Sequence, residues 1–465
     1  MSRSVYFTSL NTRRSPLNYK PYMTSETKSW GILGGGIMGM TLALRLAQKG
    51  YKVTILESSP KLGGLTGAIE MDGVVWDRFY HVILMSDLNT RKIIKEIDLE
   101  NELKWVETKT GFFSDGKLYS MSNIFEFLKF PPINLIDKFR LGLTIIVASL
   151  IKDWKRMEGI PVEKWLIRWS GKSVFEKIWL PLLKAKLGDY YKETSASFIW
   201  TTIQRMYAAR RTGLKKEMFG YVSGGYDKIN AAFKEKLNSL GVTIIVNAQV
   251  KQIVIDHYNK IVIETNSPDN YQFDEVISTL PSDISVQIAP SLSKEEIDKH
   301  AAIKYLGVIC PSVLLKRPIS EYYVTNITDT WPPFTGIIEM TALVDPKELG
   351  SRSLVYLPKY VESGDELFSR SETELKEYFL NALFVMYPDL SDSDIIHWNM
   401  SSARRVFALP TLHYSEKLPS VITSLKGYYI VNSAQIINGT LNVNETVQVA
   451  ETKLEEIINF SLSLP

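Results

Sequence analysis

Apolar positions change their period twice between residues 31 and 56. Gly31–Leu33 is a short apolar run of strand type, Met38–Lys49 is a helix-like run that stops at Gly50, and Lys52–Leu56 is a second strand-type run ending in Glu57. Between the first strand and the helix lies Gly34-x-Gly36-x-x-Gly39. A glycine pattern in this strand–turn–helix–strand setting predicts a dinucleotide site. Gly34 permits the tight turn, Gly36 lets backbone approach a pyrophosphate, and Gly39 lets the helix pack against the strand. The N–H groups and positive dipole end at the helix start, around Ile37 and Met38, hold phosphates. Glu57, 23 residues after Gly34, is placed to accept from adenosine ribose hydroxyls.

Further along, hairpins are predicted in residues 67–81 around Asp72-Gly73 and in 111–120 around Asp115-Gly116, both favoured two-residue turns. From Ile124 to about Lys216 the pattern becomes long amphipathic helices, broken at Pro131-Pro132, Pro161 and Pro181 and rich in tryptophan. Strand patterns return at Gly241–Ile255, Lys260–Thr265 and Asp274–Pro281, the last of parallel type. Residues 304–360 suggest a second sheet, followed by a helix over Glu372–Met386, a strand at Tyr428–Asn432 and a helix from about Val443. The class is α/β, α+β overall: a Rossmann-like domain assembled from separated segments, a helical insert and a second mixed sheet. The segments are 1–28 (flexible leader), 29–110, 220–285 and 396–465 (dinucleotide domain), 111–219 (helical or substrate insert) and 286–395 (substrate-domain sheet).

Composition adds limits. With 465 residues, 45% hydrophobic, 23% charged and a net charge of +3, the chain is of ordinary globular type, and nothing global points to nucleic acid. A single cysteine, Cys310, excludes an intramolecular disulfide, and the five histidines lack metal-like spacing, so no metal site is expected. One cysteine suits a reducing compartment, and a cytoplasmic placement is expected. The first 25 residues hold Arg3, Arg13, Arg14 and Lys20 and no acid. They read as a leader without a clear targeting period. The longest apolar stretch, Leu141–Ile151, is too short to span a bilayer. It reads either as a buried helix or as an interfacial one giving peripheral membrane contact.

Four motifs together resemble flavoproteins of the amine oxidase, protoporphyrinogen oxidase and phytoene desaturase superfamily, with UDP-galactopyranose mutase as a close relative. They are the opening unit with Gly63-Gly64-Leu65-Thr66; Trp76-Asp77-Arg78-Phe79-Tyr80-His81; Gly220-Tyr-Val-Ser-Gly224-Gly225-Tyr226; and Gly427-Tyr-Tyr-Ile-Val-Asn432-Ser433, with Leu441-Asn442-Val443-Asn444 beyond it. The resemblance implies noncovalent FAD, the glycine pair passing beneath its pyrophosphate. It assigns Gly34, Gly36, Ile37, Met38, Gly39, Glu57, Ser58, Gly63, Gly64, Leu65, Thr66, Val250, Asn432, Ser433, Leu441, Asn442 and Val443 to the cofactor. Two departures stand out. Asn432-Ser433 replaces the usual glycine–aspartate pair, leaving Ser433 or Gln435 as neutral partners. Leu306–Pro311 lacks the lysine common in amine oxidases, which weakens oxidation of simple amines.

Catalytic candidates are His81, with its neighbour Tyr80, and Arg205 and Arg405. Histidine alone titrates near neutrality unperturbed, and His81 falls where the mutases hold a histidine near the flavin. Asp77 and Arg78 read as an ion pair or as cofactor neighbours. Arg205, Arg210, Arg211, Lys215 and Lys216 form either a solvated face or an anion clamp. Arg404, Tyr356 and Lys359 are further cleft candidates. The leading expectation is an FAD-dependent oxidoreductase removing hydride from an apolar or amphipathic small molecule. The alternative is a mutase-like enzyme acting on a nucleotide sugar through reduced FAD, and a flavin fold used only for binding is a third.

Overall fold

The computed structural model describes residues 28–210, 217–437 and 441–463. The leader to residue 27, Arg211, Lys215 and Lys216 lie outside them. Ser29–Leu33 (β1) leads through the glycine turn into Ile37–Gln48 (α1) and on to Lys52–Leu56 (β2), which pairs with β1 in parallel. Trp30, Ile32 and Leu33 are at most 1% exposed, as expected of a strand covered on both faces. Gly39 is demanded by packing, because a Cβ there would stand 1.9 Å from Gly34 O. The two-stranded hairpin Ala68–Met71 with Val74–Asp77 follows, and then Leu88–Glu96 (α2).

The insert runs through Ile124–Lys129 (α3), Leu135–Leu150 (α4), Val162–Ser170 (α5) and Ala196–Arg210 (α6). Its interior is an apolar cluster containing Trp165, Trp179, Phe175 and Phe198. The tryptophans divide accordingly: Trp165 and Trp179 are core, while Trp154, Trp169 and Trp200 are half-buried. No helix among the described residues is long and apolar enough to cross a membrane.

Met218–Val222 (β3) turns at Gly224 into Gly225–Ser239 (α7), followed by Thr243–Ile245 (β4) and Glu275–Ser278 (β5). Where one strand was expected over Gly241–Ile255 there are two, because Asn247 takes a positive φ of 56° and the chain turns out of the parallel sheet into Val250–Ile255. The second sheet is built on Tyr305–Leu315 (β6), whose eleven residues are all buried. It pairs antiparallel with Ser353–Tyr356, Lys359–Glu362 and the long Ile395–Ala408 (β7). The hairpin of residues 110–120 joins this sheet through Val324–Ile327. Tyr428–Ile430 (β8) and Val443–Ser463 (α8) close the chain.

The parallel sheet has the order β4-β2-β1-β5-β8, so three distant stretches of chain meet in one layer. α1 lies over it between α7 and α8, in a core that includes Met40, Leu44, Phe233 and Leu454. The carboxyl ends of β1 and β2 therefore open at the start of α1, where ligands bind in sheets of this kind.

Candidate cofactor and substrate site

The turn after β1 is held from below by backbone bonds: Gly34 N–H donates to Leu56 O at 2.9 Å and Gly63 N–H to Gly35 O at 2.9 Å. Gly34 has φ of +104°, a region favouring glycine. α1 begins at Gly36 with no side-chain cap and no acid in its first turn, so its opening N–H groups, including those of Ile37 and Met38, face outward as donors. A Cβ on Gly36 would meet no protein atom closer than 3.9 Å, while one on Gly64 would stand 3.3 Å from Gly36 Cα. The space over Gly36 is open, and the Gly63–Thr66 turn lies against its edge. Asn230 of α7 clamps that turn: its Nδ2 donates to Thr66 O at 2.9 Å, and Thr66 Oγ1 lies 3.2 Å from its Oδ1. Sequence reasoning missed Asn230, since an asparagine inside an amphipathic helix carries no signal by itself.

Glu57 is buried at the end of β2, with its carboxylate turned across the glycine loop. It accepts from Gly35 N–H at 2.6 Å and Ser59 N–H at 2.8 Å; Ser58 is exposed beside it. Ala248 N–H donates to Glu57 O and Asn247 N–H to Ser59 O, which brings Val250 to the same corner. Leu65 is half-buried and Gly64 exposed.

The second glycine turn is different. Asp77 Oδ1 accepts from Tyr226 N–H at 2.8 Å, and Glu348 accepts from Gly224 N–H, Ser223 Oγ and Lys104 Nζ. The expected Asp77–Arg78 ion pair does not form. Consecutive residues at a strand end point to opposite faces; Asp77 turns inward to α7 and Arg78 lies 5.5 Å from the Phe79 ring centroid. His81 Nδ1 lies 3.5 Å from Asp77 Oδ2, and its ring packs on Tyr226 with centroids 4.8 Å apart. His81 Nδ1 and Tyr226 OH are buried atoms without a hydrogen-bond partner. Around them lies a cavity of about 10 Å³ lined by Trp76, Asp77, His81, Tyr221 and Tyr226.

Tyr80 points the other way. Its hydroxyl lies 2.9 Å from that of Tyr360, its ring packs near Tyr356, and Lys186 Nζ sits 3.3 Å from the Tyr360 ring centroid. Burial, with Tyr360 beside it, pushes the Tyr80 phenol well above its usual range, so it stays protonated and forms part of an aromatic wall. Tyr356 belongs to the same wall, its hydroxyl donating to Asp77 O at 2.6 Å. Lys359 neighbours Tyr360 in a strand and so projects from the opposite face; burial there pushes its ammonium pKa down.

Arg205 and Arg405 are both engaged by carboxylates of the protein itself. Arg205 Nη2 donates to Asp87 Oδ2 at 2.8 Å and its Nε to Asp87 Oδ1 at 3.3 Å, tying α6 to the start of α2. Arg405 donates to Asp283 Oδ2 at 2.6 Å, joining β7 to the helix after β5. Arg404 reaches Ser363 O and the Phe368 ring instead. The side chain of Arg210 is not among those described.

Asn432 is 2% exposed and its amide is engaged inside the protein. Nδ2 donates to Leu280 O at 2.8 Å, and Oδ1 accepts from Ala434 N–H at 2.9 Å. Ser433 remains half-buried. Gln435 Oε1 accepts from Asn432 N–H, while its Nε2 is a buried donor with no partner. Leu441, Asn442 and Val443 stand at the start of α8, where Asn442 Oδ1 accepts from Glu445 N–H at 3.0 Å. Asn444 Oδ1 reaches across to accept from Asn89 N–H at the start of α2.

These groups fit FAD: an open, uncapped helix start over a glycine for the pyrophosphate, a carboxylate for the ribose, and an orphaned amide donor at the opposite end. Comparison with known proteins agrees. A family model described as flavin containing amine oxidoreductase matches residues 37–408. A 15-cis-phytoene desaturase from an Oncidium hybrid cultivar is 20% identical over 86% of this chain and 72% of its own. The fold superposes on a putative protoporphyrinogen oxidase from Exiguobacterium with a TM-score of 0.71, at 16% identity over 92% of this chain and 98% of that one. It superposes equally, at 0.71, on reduced UDP-galactopyranose mutase, at 16% identity over 94% and 95%. The open cradle and the family match lead to one conclusion: the chain belongs to the flavin-containing amine oxidoreductases, and its cofactor is FAD.

Proposed function

We propose that the protein binds FAD noncovalently through the Gly34–Gly39 turn, Glu57, the Gly63–Thr66 turn and the start of α8, and oxidises an apolar or amphipathic small molecule. The observation that carries the substrate class is the aromatic wall of Tyr80, Tyr356, Tyr360 and Phe407 beside the His81 segment. FAD, when bound, supplies the two-electron chemistry by accepting hydride from a substrate carbon. The chain's own part is to orient that carbon and to exclude water. His81 is assigned the proton that leaves with the hydride, with Asp77 Oδ2 3.5 Å from its Nδ1 to orient the ring.

The engagement of Arg205 by Asp87 supports this reading over the mutase-like one, which needs a free guanidinium to hold a diphosphate. The absorption spectrum of the purified protein, native and denatured, tests the cofactor assignment: flavin released intact on denaturation is the expected result. Anaerobic mixing with isoprenoid, porphyrin, amine and sugar panels then tests the substrate class. Bleaching by an apolar member is expected, slowed by about a hundredfold or more in His81→Gln. Turnover of a nucleotide sugar only with pre-reduced flavin overturns the proposal.

A further inference from the structure

Large apolar side chains exposed to solvent are concentrated in one place: eight of those among the described residues fall between positions 125 and 150. Six lie on α4: Leu135, Phe139, Leu143, Ile146 and Leu150 are spaced by three or four residues and so aligned in one stripe, with Ile136 beside its first member. The opposite face of the same helix, Leu141, Thr144 and Ala148, is buried where α4 packs on α5 and α6. α3 adds Phe125, 74% exposed, and Leu128 to the outer surface. Within the Leu141–Ile151 run, Leu141 faces inward while Leu143, Ile146 and Leu150 face outward. The contiguous apolar surface spans α3 and the whole outer face of α4.

Charge identifies what covers it. Residues 124–210 carry fifteen Lys and Arg against eight Asp and Glu, a net +7 in a chain whose total is +3, so the remainder is net −4. Lys129, Arg140, Lys152, Lys155 and Arg156 are exposed within or just beyond the apolar helices. A second copy meeting this face through a twofold axis would oppose like charge with like. A bilayer rich in acidic lipids offers both an apolar interior for the stripe and negative headgroups for the cations. We propose that the outer face of α3 and α4 docks on the surface of an anionic membrane, α4 lying in its plane without crossing it. This is independent of the redox chemistry proposed above, because none of these side chains belongs to the cofactor site or the aromatic wall.

Co-flotation of the full chain with liposomes tests it, using phosphatidylcholine alone and phosphatidylcholine with about 30 mol% phosphatidylserine. Binding to the acidic vesicles, weakened in about 0.5 M salt, is expected. Phe139→Asp with Ile146→Asp lowers that binding at least about tenfold. Lys152→Glu with Lys155→Glu lowers it on acidic vesicles only, and serves as the test if the first pair fails to fold. Flavin content stays unchanged in both. A wild-type chain that floats with neither vesicle overturns the proposal. So does light scattering that shows a dimer, broken by the first pair, without vesicle binding.

Discussion

Two turns in this molecule lead from a strand through glycines into a helix that starts on an uncapped glycine: Gly34–Gly39 into α1, and Gly220–Tyr226 into α7. Their local chemistry is alike, and their surroundings are not. At α7, carboxylates from two distant segments, Asp77 and Glu348, accept the N–H groups of Tyr226 and Gly224, so the positive end of the helix is already neutralised. At α1 the first turn holds no acid and the space above Gly36 is clear. Glycine spacing therefore makes an anion site possible; Glu57 takes Gly35 N–H just before the helix, and with no acid in the first turn the N–H groups of Ile37 and Met38 are left available. The second turn is a structural joint that places His81, through Asp77, beside Tyr226.

The largest expected effect separates the two turns outright. Gly36→Ala adds a Cβ that meets no protein atom closer than 3.9 Å but projects into the cradle, so flavin retained through gel filtration falls at least about tenfold. Stability of the flavin-free protein changes by no more than about 0.5 kcal/mol. Equal loss of stability would make this turn a joint like the other. Asp77→Ala leaves the Tyr226 N–H without its acceptor, and its stability in urea is lower by about 1–3 kcal/mol. A smaller loss would mean water replaces the carboxylate and the joint is not closed.

The weakest effect carries a pH signature. Burial alone would raise the Glu348 carboxyl, but Lys104 and the Gly224 and Ser223 donors hold it below its ordinary value. A carboxyl depressed in the folded state stabilises above its unfolded pKa, and the gain is lost as pH falls through the folded pKa. The difference between wild type and Glu348→Gln, about 1 kcal/mol or less at neutral pH because the pair is partly exposed, therefore shrinks on acidification below the carboxylate range. A difference that grows in acid would contradict the pairing.

Much of this was legible in the chain. The first glycine turn and Glu57 fall where spacing put them, and the helices Glu372–Met386 and Val443–Ser463 begin at the expected residues. Local pattern could not show which partners distant segments supply. Asp77 sits beside Arg78 in sequence yet pairs with a helix start 149 positions away. Arg205 looks free until Asp87, 118 residues earlier, is folded against it. Asn432 looked like the weak point of the cofactor site. The fold instead closes its amide into the protein and leaves the adjacent Gln435 with the unpartnered donor.

The strand order β4-β2-β1-β5-β8 also has a consequence for the order of synthesis. β1 and β2 leave the ribosome early, but the partner on the other side of β1 is 245 residues downstream, and the outermost strand and the helix covering α1 come from beyond residue 427. Pairings of such separation form slowly. The nascent chain must therefore carry a half-built sheet while the insert and the second sheet emerge. Chains terminated before Tyr428 would keep every glycine of the first turn and still lack the outermost strand of the sheet and the helix that covers α1.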